Sequence, residues 1–274
     1  MTMLDQIPFT FIDCETTGLF PRYGDRICEI ALLKIKDGKI YESYQTLINP
    51  GRTISPGAAA VNGITDEMVK DAPYFSEIAE KVIRIIGDSV IVAHNAKFDL
   101  SFLSAQFQNA RIPLFDNRVI DTLLLARRHY SFASNSLGNI CASLNFQVKD
   151  EHRAMGDVLL TKMVFEKFLA DFEAQGVTTL EDILSLQGGS VALPRNEEIS
   201  LPPLLDEAIK RKKKVKITYL SAHDRGSARV IEPLEVAGMG DYLYLLAFCH
   251  LRQEKRTFRL DRILNLQIVE DPPF

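Results

Sequence analysis

Residues 11–20 read FIDCETTGLF, an apolar run that ends in two acids, Asp13 and Glu15, two positions apart. From Pro8 to Cys14 the chain has the aromatic and β-branched content of a strand. On an extended strand, side chains two apart face the same way. Phe9, Phe11, Asp13 and Glu15 therefore share one face, with Thr10, Ile12 and Cys14 opposite. Paired carboxylates replace the apolar pattern where the strand ends. Like charges side by side are costly to bury unless cations neutralise them. One such acid reads as readily as a turn cap or an arginine partner; a pair followed by Thr-Thr-Gly points to a ligand.

Outward from that strand, Arg26 to Lys36 and Lys39 to Ile48 form a hairpin turned by Asp37-Gly38, and Ser89 to Ala93 is a further buried strand. FSEIAEKVIRII (75–86) sets Phe75, Ile78, Ala79, Val82, Ile83 and Ile86 on one helical stripe. KFDLSFLSAQF (97–107), TLLLARR (122–128), SLGNICASL (136–144) and MGDVLLTKMVFEKFLADF (155–172) also read as helices. Strands first, then helices mixed with strands, predict an α/β domain with a mixed sheet.

The texture changes after Phe172. Residues 178–203 carry Gly188-Gly189 and three prolines, the composition of a linker. Beyond it a short helix, LLDEAIKRKKK (204–214), leads into short strands at VKITYL, RVIEP, DYLYLLAF, RTFRL and LNLQIV, a small sheet or barrel. The expected division is a first domain over 1–175, a linker over 176–200 and a second domain over 201–274.

Composition sets the bounds. With 274 residues, 46% apolar and 25% charged, disordered and fibrous classes are excluded. No basic-then-apolar leader and no run of about 20 apolar residues is present, so the expectation is a soluble, cytoplasmic protein without a membrane partner. Cys14, Cys28, Cys141 and Cys249 have no paired spacing and read as small buried hydrophobes. The net charge of −4 hides an asymmetry: Ile209 to Arg262 holds 13 Lys or Arg against 6 Asp or Glu. Most such runs are solvated faces, Lys212 to Lys214 among them; the alternative is a phosphate-binding surface.

More acids stand at strand ends. After the strand ending at Ala93, Asn95 and Asp99 are spaced i, i+4 and can face one side of a first helical turn. In HRAMGD, His152 precedes Asp157 by five residues, about 140° apart on a regular helix. His152 must then lie before the helix, or at its start, if both serve one site.

These residues resemble three motifs of the DEDDh exonucleases, the family that includes proofreading subunits and domains of bacterial replicative polymerases. D-x-E-T-T-G is matched by Asp13, Glu15, Thr16, Thr17 and Gly18; N-x-x-[FY]-D by Asn95, Phe98 and Asp99; H-x-x-x-x-D by His152 and Asp157. The resemblance covers about residues 7 to 172 and implies an RNase H-like mixed sheet flanked by helices. It implies two ions, Mg²⁺ or Mn²⁺, per active site: Asp13 between them, Glu15 and Asp157 completing the nucleophile side, Asp99 at the second ion, and His152 as general base. Hard oxygen ligands suit such ions, and a histidine titrating near neutrality suits that role. Thr16, Thr17, Gly18, Leu19 and Asn95 are expected at the terminal nucleotide. Phe98 is a candidate there too, although its place beside Phe102 favours the core. Asp121 is expected to cap its helix.

The C-terminal stretch is similar to a WYL domain, a small Sm/SH3-like β-barrel module. The naming triplet falls on Leu243-Tyr244-Leu245 and lacks its Trp, while TFRLDRI fits the later motif. Tyr219, Tyr244, Arg256, Arg259 and Arg262 are the candidate nucleotide or nucleic-acid contacts, with the tyrosines equally readable as core. The expectation is a metal-dependent 3′→5′ exonuclease releasing nucleoside monophosphates from single-stranded DNA ends, with a WYL module for nucleic-acid or ligand sensing. The alternatives are an RNA exonuclease, or a non-catalytic ligand-responsive regulator. The motifs identify neither a polymerase partner nor an oligomeric state.

Overall fold

Phe9 to Thr16 form the central strand, β1, of a mixed sheet. The computed structural model describes residues 4–18, 21, 24–146, 153–192, 203–220, 226–239 and 242–269. Contacts divide the chain into two compact units, the first Met1–Pro21 with Asp25–Arg195 and the second Arg22–Gly24 with Asn196–Phe274.

In the first unit β1 is followed by β2 (Ile27–Lys36), β3 (Lys39–Leu47), α1 (Pro56–Asn62), α2 (Asp66–Val69), α3 (Phe75–Ile86), β4 (Val90–Ala93), α4 (Ala96–Asn109), β5 (Val119–Asp121), α5 (Thr122–His129), α6 (Leu137–Ser143), α7 (Ala154–Glu173) and α8 (Leu180–Gln187). Among the described residues the sheet order is β3-β2-β1-β4-β5. The first three strands are antiparallel, while β4 runs parallel to both β1 and β5. Asp37 and Gly38, both at positive φ, make the hairpin turn between β2 and β3.

The alternation in β1 decides which face meets what. Phe9 and Phe11 point toward α7, each meeting the ring of Phe165 edge-on at 5.3 and 5.8 Å. Ile12 and Cys14 enter the opposite core, built with Phe75, Phe102 and Phe107 from α3 and α4. Burying each of these large side chains stabilises the fold by about 2–3 kcal/mol. The stripe on α3 is as expected except that Ile85, rather than Ile83, is fully buried.

Of residues 176–200, whose composition predicts a linker, those up to Ala192 are described, and they include a helix packed on the first unit. Thr179 caps α8 in a capping box with Asp182, and Ile183 and Leu184 enter the core beside α7. The side chain of Gln187 then pairs with the outer edge of β5: the Asp121 N–H donates to Oε1 at 2.9 Å, and Nε2 donates to the Val119 carbonyl at 2.7 Å. The Val119 N–H donates to Ser190 Oγ at 2.9 Å. An edge strand too short to be seen in the sequence is thus capped by side chains from the far end of the unit.

The second unit contains α9 (Pro203–Lys210) and an antiparallel sheet of β6 (Val215–Leu220), β7 (Gly226–Met239), β8 (Tyr242–Cys249), β9 (Glu254–Arg259) and β10 (Ile263–Ile268), in the order β10-β6-β7-β8-β9. Leu205 and Ala208 of α9 close one core with Val215, Ile217, Ile231, Val236, Leu245 and Phe258. The strand expected at RVIEP is longer than its motif, because β7 absorbs an irregularity at Pro233 and continues.

Candidate active site

The carboxyl ends of β1 and β4, parallel neighbours, open on the same end of the sheet. From β1 come Asp13 and Glu15, on the α7 face as the alternation requires. The first turn of α7 supplies Asp157. Carboxylate oxygens of Asp13, Glu15 and Asp157 lie within 4.8 Å of one another. Asp99, buried in the first turn of α4, stands behind them and accepts a 2.9 Å hydrogen bond from the Cys14 N–H.

Such crowding shifts the acids in one direction. Burial first, then the carboxylates of Asp99, Asp157, Glu15 and Glu29, hold Asp13 well above the ordinary carboxylate range. Burial does the same to Asp99, against the pull of the Cys14 N–H. Glu15 is pushed up to about 7 by burial and by Asp157, with the Asn62 amide pulling the other way. Carboxylates that repel each other and have only oxygen to offer fit a hard divalent cation.

The Thr16-Thr17-Gly18 turn beside them is pinned from below. Thr17 Oγ1 donates to Asp25 at 3.0 Å and accepts from the Arg26 N–H at 3.1 Å. Arg52 holds the same Asp25 carboxylate at 3.1 Å. Gly18 sits so close that a Cβ there would lie 2.3 Å from an Asp25 oxygen. Asn95 is exposed, in the left-handed conformation that asparagine tolerates, at the start of α4. Phe98 is half-buried and packs on Phe102 with ring centroids 5.0 Å apart. Leu19 and His152 lie outside the described residues. His94 has both ring nitrogens engaged, by Thr122 Oγ1 and the Asn135 carbonyl, and burial pushes its pKa down to about 4.

Asp121 caps α5 as expected, through the Leu123 N–H, and also accepts from the Asn95 and Ala96 N–H groups that open α4. Four residues at this end escaped the sequence motifs. They are Asn62, Asp25, Gln45 and Glu29, the last lying directly opposite Glu15 in the β1–β2 register. The alternating pattern of β2 could have placed Glu29 on the Glu15 face; nothing in sequence could have paired it with Arg153. All four cysteines are buried and free.

In the second unit, Tyr219 faces the core, edge-on to Phe258 at 5.1 Å, and its hydroxyl accepts from the Arg259 N–H at 3.3 Å. Tyr244 and Arg259 are cross-strand partners on β8 and β9, both half-buried. Arg256 is exposed and paired with Glu254, and Arg262 is half-buried in the turn before β10.

The mixed sheet and its acidic cluster define an α/β protein able to hold a divalent cation among carboxylates. The chain belongs to the exonuclease family: the family model described as "Exonuclease" matches residues 10–165, and the WYL domain model matches residues 202–268. It is 39% identical over 189 residues to a DNA polymerase III subunit epsilon-like protein of Rhodobacter capsulatus, covering 67% of this chain and 27% of that one. To the PolC-type DNA polymerase III of Bacillus subtilis it is 33% identical over 196 residues, 71% of this chain and 14% of that one. Among solved structures it resembles Exonuclease X in complex with 5′ overhanging duplex DNA, with a TM-score of 0.51, 31% identity and coverage of 66% of this chain and 99% of that chain. Escherichia coli Exonuclease I in complex with a dT13 oligonucleotide shares the fold, with a TM-score of 0.56 at 18% identity, over 89% of this chain and 55% of that chain. The chain thus carries an exonuclease-family domain followed by a WYL domain, and it spans about a quarter or less of the length of these two curated relatives. Among its described residues no helix is long and apolar enough to cross a membrane.

Proposed function

We propose that the protein is a 3′→5′ exonuclease that removes nucleoside monophosphates from single-stranded DNA ends, with its WYL domain sensing nucleic acid or a nucleotide-like ligand. The observation that carries this reading is the meeting of Asp13, Glu15 and Asp157 oxygens within 4.8 Å, with Asp99 behind them. Two Mg²⁺ or Mn²⁺ ions bound there would offset charge on the attacking and leaving oxygens of the phosphodiester. Asp13, Glu15, Asp99 and Asp157 would serve as their ligands. His152 accepts the proton of the attacking water. The pinned Thr16-Thr17-Gly18 turn, with Leu19 and Asn95, holds the terminal nucleotide, and half-buried Phe98 supports that wall from the core. In the second unit, Tyr244 and Arg259, at paired positions of β8 and β9, supply an aromatic ring and a cation suited to a base and its phosphate, together with Arg256 and Arg262.

The test is degradation of matched DNA and RNA oligonucleotides, labelled at either end, with Mg²⁺, Mn²⁺ or chelator. Loss of the 3′ terminus first, with monophosphate products and no reaction in chelator, is the expected result. Asp13→Ala should abolish it in a folded protein. Preference for RNA would move the reading to RNA turnover, and binding without cleavage would make the chain a regulator.

A further inference from the structure

Glu29 is a carboxylate near Asp13 and Glu15 whose oxygens are taken up by other partners. It is opposite Glu15 across the β1–β2 ladder and only 1% exposed. Both its oxygens are already engaged. Oε1 accepts from Arg153 at 2.6 Å and from Gln45 Nε2 at 2.9 Å; Oε2 accepts from Arg153 Nε at 3.0 Å and from the Ala154 N–H at 3.2 Å. Four donors on two oxygens saturate the group.

The placement of those donors gives the carboxylate its use. Ala154 is the first residue of α7, and Arg153, at the N-cap, makes no side-chain cap of its own. Glu29 therefore caps α7 from another strand, 125 residues away in sequence. The fork of Arg153 fixes direction as well as distance, since two parallel N–H groups meet one carboxylate. One helical turn on is Asp157.

We propose that Glu29 and Arg153 form a clasp that positions α7 for the reaction, so that Glu29 is a positioning residue for Asp157. The same carboxylate lies opposite Glu15 in the strand register, and the Arg153 charge is close enough to favour ionised Glu15. This rests on the nuclease reading only for its effect on turnover; its effect on ion binding stands apart from it.

The experiment compares the full chain with Glu29→Gln, Arg153→Ala and Arg153→Lys, by calorimetric titration with Mn²⁺ alone and by turnover on a single-stranded oligonucleotide. Glu29→Gln and Arg153→Ala should weaken Mn²⁺ binding and lower kcat, each by about ten- to a hundredfold with KM changed less than about threefold, and Arg153→Lys should recover part of both losses. Variants that melt earlier yet bind Mn²⁺ and turn over as the parent does would reduce the clasp to a structural tie and overturn the proposal. If Glu29→Gln does not fold, Arg153→Ala carries the same prediction, because that side chain is 40% exposed. A parent chain that binds Mn²⁺ but cleaves nothing sinks the nuclease reading, and the clasp is then judged on Mn²⁺ affinity.

Discussion

The backbone N–H of Cys14, between Asp13 and Glu15 on β1, donates a 2.9 Å hydrogen bond to Oδ1 of Asp99 on α4. One carboxylate thus joins the strand that carries two acids to the helix that carries a third. Asp99→Asn keeps an acceptor for that N–H and loses the charge. It should melt no earlier than the parent, while cleavage falls on the order of a hundredfold or more, as when one charge-stabilising group is lost. Asp99→Ala also strands the Cys14 N–H, at a further cost of about 1–3 kcal/mol in urea unfolding. Equal stability of the two variants would refute this use of Asp99.

Stability should depend on pH in a defined direction. Burial and neighbouring carboxylates raise Asp13 and Asp99, and bring Glu15 from 4.5 to about 7. Acids raised on folding keep protons that the unfolded chain releases, so stability is greatest below the unfolded value and declines as pH climbs through the folded one. For Glu15 that window runs from 4.5 to about 7. Melting of metal-free protein should therefore fall across it, and added Mn²⁺ should raise the melting temperature more at about pH 7.5 than at about pH 5.5. A metal-free melting temperature that climbs through this window would contradict the crowding.

Gly18→Ala drives a methyl group toward an Asp25 carboxylate that is 8% exposed and held by Thr17 and Arg52. Overpacking of this kind costs about 1–3 kcal/mol. The turn should shift, and KM for an oligonucleotide should rise more than kcat falls. Steady-state kinetics beside a denaturant curve separate the two effects.

Asp121→Ala removes one acceptor from three backbone N–H groups, those of Leu123, Asn95 and Ala96. Loss of a shared helix cap should lower stability by about 2 kcal/mol or more. Because the start of α4 carries Asp99, Mn²⁺ affinity should weaken as well. Urea unfolding and Mn²⁺ titration read these changes; an unchanged denaturation midpoint would dismiss the shared cap.

Short-range pattern made β1, the β2–β3 hairpin, α3 and α7 legible, because each repeats its apolar positions long enough to show a period. The acids were legible because they interrupt that period. What stayed hidden depends on distant partners. Three residues of β5 carry no period, and α8 lay in a stretch rich in glycine and proline. Glu29 and Arg153 each read alone as an ordinary charge, and only the folded chain brings them together across 124 positions. Asp121 was half legible: its own helix showed it as a cap, while its second helix arrives through the sheet.

The pairing of Gln187 with β5 also sets where the chain can be cut. A fragment stopping short of Gln187 would bare the N–H of Asp121 and the carbonyl of Val119, and copies could zip together along that rim. A shortened chain carried through Ala192 keeps its rim sealed and stays suited to comparison with the whole protein.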